Sequence, residues 1–178
     1  MSVIPFPLEA AVARVDEDLF AEAFRRHHDR LGRLAFVLCG DTRRAEDAVA
    51  EAFAKVWPRY RAGKVDDLDA YLKRAVVNEI RGGFRRRAVE RREEDRRRQQ
   101  WEEGVPSHGQ QVADRTALAE ALWALPMANR EVLVLRFYED LSEAEIAAAL
   151  GVAPGTVKSR AARGLAMLRE LMPEVRNP

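Results

Sequence analysis

The sequence predicts an all-α protein built as two small helical domains joined by a flexible linker. Three observations carry that prediction. Apolar residues recur at the three- and four-residue spacing of helices along almost the whole chain, with no sustained strand-like alternation. Residues 88–114, "AVERREEDRRRQQWEEGVPSHGQQVAD", break the pattern with many charges, few apolar side chains and a Gly-Val-Pro-Ser-His-Gly stretch, a composition that cannot bury a core. The periodic segments on either side are each long enough for a compact unit of several helices. The expected division is a tail over 1–15, a first domain over 16–87, the linker over 88–114 and a second domain over 115–175.

In the first domain, "EDLFAEAFRRHHDRLGRLAFVLCG" sets Leu19, Phe20, Phe24, Leu31, Leu34, Ala35 and Leu38 on one stripe, and Gly40 suits the position just past a helix end. "DTRRAEDAVAEAFAKVW" follows, with Ala45, Val49, Ala52, Phe53 and Val56 inward, Asp41 or Thr42 as cap and Pro58 as stop. "RYRAGKVDD" reads as a loop. A third helix, "LDAYLKRAVVNEIRGGFRRR", turns Leu68, Tyr71, Leu72, Ala75, Val76 and Ile80 inward. Gly82 and Gly83 together cost about 2 kcal/mol in a helix interior relative to Ala. Either that helix is nearing its end there, or it tolerates a weak point and extends into the linker.

The second domain begins with a helix through "TALAEALWAL", then Pro126 and "NREVLVLRFYED". In "LSEAEIAAALG", Ser142 and Glu145 fit a capping box, Ile146, Ala147 and Leu150 face inward, and Gly151 closes the helix. The turn Val152 to Pro154 leads into a last helix with Pro154 at its first position. Helix, short Gly-containing turn and helix is the DNA-binding hairpin. On the last helix Val157, Ala161, Leu165 and Leu168 share one sector; Thr156, Ser159, Ala162, Arg163 and Ala166 lie opposite, with Lys158 and Arg160 on the flanks. Residues 152–169 contain no acidic side chain. Small residues let such a face approach a groove, and Arg, Ser and Thr reach phosphates and base edges.

The net charge of +1 conceals an uneven distribution. Residues 81–98 carry nine basic against four acidic side chains, 99–151 three against nine, and 152–178 five against two. Two basic segments thus flank an acidic one, which makes two separate anion contacts possible. A single cysteine, Cys39, excludes an internal disulfide, suits a reducing cytoplasm and reads as a buried apolar residue. The N-terminus lacks the pattern of a signal peptide, and no apolar run is long enough to span a bilayer, so no membrane insertion is expected. His27 and His28 are adjacent and His108 falls in the linker; no catalytic triad, metal cluster or phosphate-cradling Gly loop emerges. No enzymatic activity, cofactor or metal is expected.

The stretch "LRFYEDLSEAEIAAALGVAPGTVKSRAARGLAMLR" resembles region four of bacterial RNA polymerase sigma factors, and its "GTVKSR" is characteristic of the small extracytoplasmic-function (ECF) group. "DTRRAEDAVAEAFAKVW" and "YLKRAVVNEIRGGFRRR" resemble that group's region two, in the right order and spacing. The resemblance covers roughly residues 18–87 and 115–172. It implies a cytoplasmic protein that binds core RNA polymerase, through the beta-prime clamp helices and the beta flap, and directs it to promoter DNA. Helix 45–57 would dock on the clamp helices. Its strip of Glu46, Asp47 and Glu51, with Lys55 four residues after Glu51, reads from composition alone as a solvated face.

The resemblance further assigns the minus-ten element to Tyr60, Arg74, Asn78, Arg81, Arg85, Arg86 and Arg87; Trp57 and Tyr71 lie at spacings that fit core packing instead. It assigns the minus-thirty-five element to Thr156, Lys158, Ser159, Arg160 and Arg163. Three positions depart from the family pattern: Ala50 replaces a common Gln, Gly82-Gly83 stands where a carboxylate often follows Asn78, and Ala153 replaces a capping Ser or Thr. An anti-sigma factor is a frequent partner in the family. The free protein is expected to bind duplex DNA poorly, its domains packing together and covering their basic faces until polymerase separates them. A dimeric helix-turn-helix regulator that does not bind polymerase is the alternative, and it leaves 41–87 without a role. A helical adaptor that binds only proteins leaves the basic faces without one.

Overall fold

The computed structural model describes residues 8–98 and 117–172, and among these it contains seven helices and no strand. They are α1 (Leu8–Cys39), α2 (Thr42–Arg61), α3 (Leu68–Arg98), α4 (Ala117–Ala124), α5 (Met127–Phe137), α6 (Glu143–Leu150) and α7 (Pro154–Leu171). The first three form one helical domain and the last four the other. Residues 99–116, the greater part of the expected linker, lie outside the described residues.

Local chemistry explains the connections. Gly40, at φ 70°, ends α1 and donates its N–H to Phe36 O at 2.7 Å. Asp41 is extended and accepts the Arg44 N–H at 3.0 Å, so it, rather than Thr42, caps α2. Two residues therefore reverse the chain, and α2 returns along α1. Asp67 accepts the Ala70 N–H at 3.0 Å and starts α3 in the same way.

Buried Leu31, Leu34, Ala35 and Leu38 of α1 meet Ala45, Val49, Ala52, Phe53 and Val56 of α2 and Leu72, Val76, Val77 and Ile80 of α3. Each of these Leu, Val, Ile and Phe side chains contributes about 1.5–3 kcal/mol when fully buried. Phe20 and Phe24 pack on Phe53, with Phe20 also edge-on to Trp57 at 5.0 Å between centroids. Trp57 and Tyr71 are half-buried against this core as expected, and the Tyr71 hydroxyl accepts a hydrogen bond from Arg59 Nη1 at 2.8 Å.

Three expectations need correction. Pro58 does not stop α2, which continues to Arg61 with the proline inside. Pro58 stands one turn from the helix end, and the bond it cannot make would have gone to the carbonyl of Ala54, an exposed residue, where losing it is best tolerated. The last turn then closes through Ala62 N–H to Pro58 O at 3.3 Å. Of the two readings of Gly82-Gly83, the second holds: α3 tolerates the pair and runs through to Arg98, into the segment read as linker. The arginine- and glutamate-rich continuation has favourable helix propensity. The first helix starts at Leu8, within the segment read as a tail, where "LEAAVAR" is likewise a good helix former. Leu19, placed on the inward stripe, is 52% exposed, because the aromatic pair Phe20 and Phe24 takes the inner sector instead.

In the second domain, Val132 to Leu135 of α5, Ile146, Ala147 and Leu150 of α6, and Val157 and Ala161 of α7 are buried. The two domains also pack on each other, with α4 and α5 against the C-terminal end of α1 and with α5 and α6 against α3.

Candidate nucleic-acid interface

The helix-turn-helix is built as its sequence requires. Ser142 Oγ accepts the Glu145 N–H at 3.3 Å, while Glu145 Oε2 accepts from Ser142 N at 2.8 Å and Ser142 Oγ at 2.6 Å. Those hydrogen bonds hold the Glu145 carboxyl below the ordinary glutamate range. Gly151, at φ 64°, ends α6, and Val152 N–H bonds Ala147 O at 3.1 Å. Ala153 sits at the N-cap of α7 without a side-chain hydrogen bond, and Pro154 opens the helix. Val157, Ala161 and Gly164 bury the inner face, with Leu165 and Leu168 half-buried beside them.

The outer face of α7 presents Lys158, Ser159, Ala162, Arg163 and Ala166 to solvent, with Thr156 half-buried at its edge. Arg163 lies back over its own preceding turn, donating from Nε to Ser159 O at 3.2 Å and from Nη2 to Ser159 Oγ at 3.4 Å. Ser159 Oγ in turn donates to Thr156 O at 3.0 Å. Thr156, Ser159 and Arg163 thus form one continuous polar ridge. Arg160 departs from the expected arrangement: it turns inward, and its Nη1 donates to Glu131 Oε1 at 3.2 Å.

On α2, Glu46, Asp47 and Glu51 are exposed together, and the substituted position Ala50 lies exposed among them. Lys55 stands 3.7 Å from Glu51, as its spacing suggests, but bonds more closely to Glu79 of α3 at 2.7 Å. That bond, with both carboxylates nearby, raises the Lys55 ammonium pKa above its ordinary value. A groove between α2 and α3 is lined by Arg44, Asp47, Glu51, Glu79, Arg86 and Arg87, so the acidic strip borders the arginine run.

On α3, Arg74, Asn78, Arg85 and Arg86 are exposed, the first three along one face. Arg87 is half-buried, its guanidinium 4.8 Å from the centre of the Phe84 ring. Tyr60 is 39% exposed, with its ring 5.6 Å from that of Trp57, and forms an aromatic shelf at the end of α2. Arg81 faces away from this group. Its Nη1 donates to Leu150 O at 3.1 Å, at the end of α6, and its Nε lies 3.1 Å from Glu131 Oε2. The latter is a charge contact rather than a hydrogen bond, because Oε2 accepts no aligned donor.

The charged residues of the domain interface escaped the sequence reading. Glu131 is 1% exposed, and its burial pushes the carboxyl up, against the opposing pull of Arg81 and Arg160. The Glu139 side chain is 2% exposed and meets Arg30 Nη2 at 2.8 Å and Lys73 Nζ at 3.1 Å. Arg130 Nη1 donates to Leu38 O at 2.6 Å across the interface, while Nη2 bonds Trp123 O and Leu125 O within its own domain. Trp123 donates its indole N–H to Val37 O at 3.0 Å. The available signal was the run Asn129-Arg130-Glu131 abutting "VLVL", charge set directly against core, but its partners are distant in sequence.

The domains do not cover both basic faces as expected. Arg81 alone of the α3 candidates contacts the second domain through a described bond, whereas Arg74, Asn78, Arg85, Lys158, Ser159 and Arg163 remain exposed. The contact is made by α4, α5 and the end of α6 rather than by the outer face of α7.

Residues 23–90 match the family described as Sigma-70 region 2, and residues 115–168 match Sigma-70, region 4. The RNA polymerase sigma-E factor of Streptomyces coelicolor is 38% identical over 152 residues, covering 85% of this chain and 84% of that protein. The ECF RNA polymerase sigma factor SigM of Mycobacterium tuberculosis is 34% identical over 173 residues, covering 93% and 83%.

Among solved structures, the sigma factor RpoE of Bartonella quintana, crystallised with the anti-sigma factor NepR, superposes with a TM-score of 0.66 at 28% identity, over 86% of this chain and 96% of that one. CnrH, in complex with the cytosolic domain of CnrY, gives 0.61 at 25% identity, over 93% and 94%. The match over 23–90 is what a dimeric helix-turn-helix regulator would not contain. With both regions present in order, and relatives matched along most of their length, the chain belongs to the extracytoplasmic-function group of RNA polymerase sigma factors.

Proposed function

We propose that region 2 of this sigma factor docks on the beta-prime clamp helices through Glu46, Asp47 and Glu51, with Lys55 holding the edge of that strip to α3. Region 4 engages the beta flap. The exposed face of α3 supplies Arg74, Asn78 and Arg85, flanked by Arg86, Arg87 and Tyr60, for the opened minus-ten element. Cations suit phosphates, the amide suits a base edge, and an aromatic shelf suits an unstacked base. Thr156, Lys158, Ser159 and Arg163 read the minus-thirty-five element, while Arg160 braces α7 from behind through Glu131. Arg81 joins the minus-ten surface once it leaves the domain interface.

The chain supplies recognition and no catalytic group; nucleotide chemistry belongs to the polymerase. Its place of action is the cytoplasm, and no helix among the described residues is long and apolar enough to cross a membrane. Because RpoE is seen with an anti-sigma factor, a partner of that class is the expected negative regulator here too.

The observation that carries this reading is the pairing, in one chain, of an acid-free polar ridge on α7 with an exposed acidic strip on α2. Reconstitution with sigma-free core polymerase tests it. Promoter-specific transcripts from genomic templates are expected. No transcript and no complex with core would remove the assignment of these surfaces.

A further inference from the structure

A cavity of about 470 Å³ lies between the α2–α3 loop and the start of α3 on one side and α5 and α6 on the other. That volume falls within the range of about 300–1,000 Å³ typical of sites that hold small molecules. The walls are mainly apolar, with Val65, Tyr71 and Val77 from region 2 and Leu135, Leu141 and Ala148 from region 4. Val65, Val77 and Leu135 are buried, so the cores of both domains fix the floor and keep it from collapsing. Val65 is also the one buried residue of loop 62–67. With Gly63 N–H on Tyr60 O and Lys64 N–H on Arg59 O, both at 3.0 Å, it ties that loop down at the rim.

The charged side chains around this space divide by whether they are already engaged. Lys73 is held by Asp69 at 2.8 Å and by Glu139 at 3.1 Å. Asp67 caps α3, and Glu145 is bound in its box with Ser142. Lys64, Asp66 and Arg74 are exposed, and their side chains have no hydrogen-bond or ion-pair partner among the described residues. Two free cations thus stand against one free carboxylate, over an apolar floor. Such a floor stabilises the hydrocarbon or aromatic body of a ligand, and unpaired cations hold an anionic head without giving up a partner of their own. A helix of a partner protein suits the space poorly. At about 10 Å across and about 5.4 Å per turn, roughly one turn would fill it.

We propose that this cleft is a binding site for a small amphipathic organic acid. Its hydrocarbon or aromatic body lies against Tyr71, Val77 and Leu135, and its carboxylate is held at the rim by Lys64 and Arg74. The site itself stands on the cavity and its two free cations. Only its consequence rests on the sigma-factor reading: a bound acid takes Arg74 away from the minus-ten surface.

Titration of the full chain with anilinonaphthalene sulfonate, an aromatic anion whose fluorescence rises in apolar surroundings, tests the site. One dye per chain is expected. Decanoate should displace it, and decyltrimethylammonium, of the same chain length and opposite charge, should not. Lys64 belongs to neither proposed DNA surface nor the acidic strip. Lys64→Gln should weaken decanoate binding on the order of 3–10-fold, the loss of one charge-assisted contact in a partly solvated site. Ala148 is exposed on α6, so Ala148→Phe puts a ring into the cleft and leaves buried Ile146, Ala147 and Leu150 untouched. Saturable dye binding should disappear in that variant, with circular dichroism to confirm folding.

Wild type without saturable binding would overturn the site, as would equal displacement by the two decyl compounds. A folded Ala148→Phe protein that binds the dye as wild type does would place the dye elsewhere and remove the proposal. Unchanged decanoate binding by Lys64→Gln removes it as well, and if Ala148→Phe fails to fold, Lys64→Gln alone decides. A chain that binds decanoate but drives no transcription with core keeps the site and loses the sigma reading. One that transcribes but binds no decanoate does the reverse.

Discussion

At the scale of single residues, two arginines three positions apart on α7 have opposite fates. Arg163 is exposed and aligned with Ser159 and Thr156, whereas Arg160 points back to a buried carboxylate. Replacing Arg163 with Ala should weaken minus-thirty-five recognition by about 1–3 kcal/mol, the value of a bidentate base contact. Competition between promoter variants in the presence of core measures this; an unchanged preference would place the reading contact elsewhere on α7. Helical periodicity separated the outer from the inner face of α7 but could not assign the flanks. Arg160 and Lys158 lie on opposite flanks of the inner sector, and the partner that turns Arg160 inward, Glu131, stands 29 residues earlier in the chain.

Asp69 offers a residue-scale prediction in pH. Burial alone would raise its carboxyl pKa, but Lys73, Arg30 and His27 more than offset that and hold it below the ordinary aspartate range. A folded-state pKa below the unfolded one means that Asp69 adds stability in full above about pH 3.9. That contribution is lost as the pH falls through the lower folded value. The stability gap between wild type and Asp69→Asn should therefore shrink between roughly pH 5 and roughly pH 2. Denaturant melts at those two values are the check, and a gap independent of pH would contradict the assignment.

At the scale of elements, the caps and core faces of α2, α6 and α7 were legible because each rests on residues close in sequence. Asp41, the Ser142–Glu145 box, Gly151 and Pro154 all act within a turn or so of their own position. Helix ends were less legible. The cost of Pro58 depends on whether the carbonyl it leaves free is solvated, and Gly82-Gly83 lowers the stability of α3 without terminating it. A Cβ added at Gly82 or Gly83 would meet nothing nearer than the Arg86 or Arg87 guanidinium, at 3.7 and 3.8 Å, which is ordinary contact. Each Gly→Ala change should stabilise region 2 by about 0.5–1 kcal/mol, chiefly by restricting the unfolded chain. Thermal melts would register this; a loss of stability would show that α3 needs its weak point.

At the scale of the whole molecule, the sequence foretold two helical domains but not how they meet. Domain order follows from hydrophobic periodicity, which is local. The meeting surface depends on Arg81 reaching Leu150 O and on Glu139 reaching Arg30, across 69 and 109 positions of chain. The tips of α1 and α4 carry one further implication. Gly40 both ends α1 in a left-handed turn and forms the seat of Trp123, for a Cβ there would fall 2.8 Å from two indole carbons. The end of a helix and the docking of a distant domain are therefore decided by the same missing methyl group. Position 40 is a keyhole as well as a hinge stop: adding one carbon would push the indole off its seat and loosen the hold of α4 on α1 without a charge being touched.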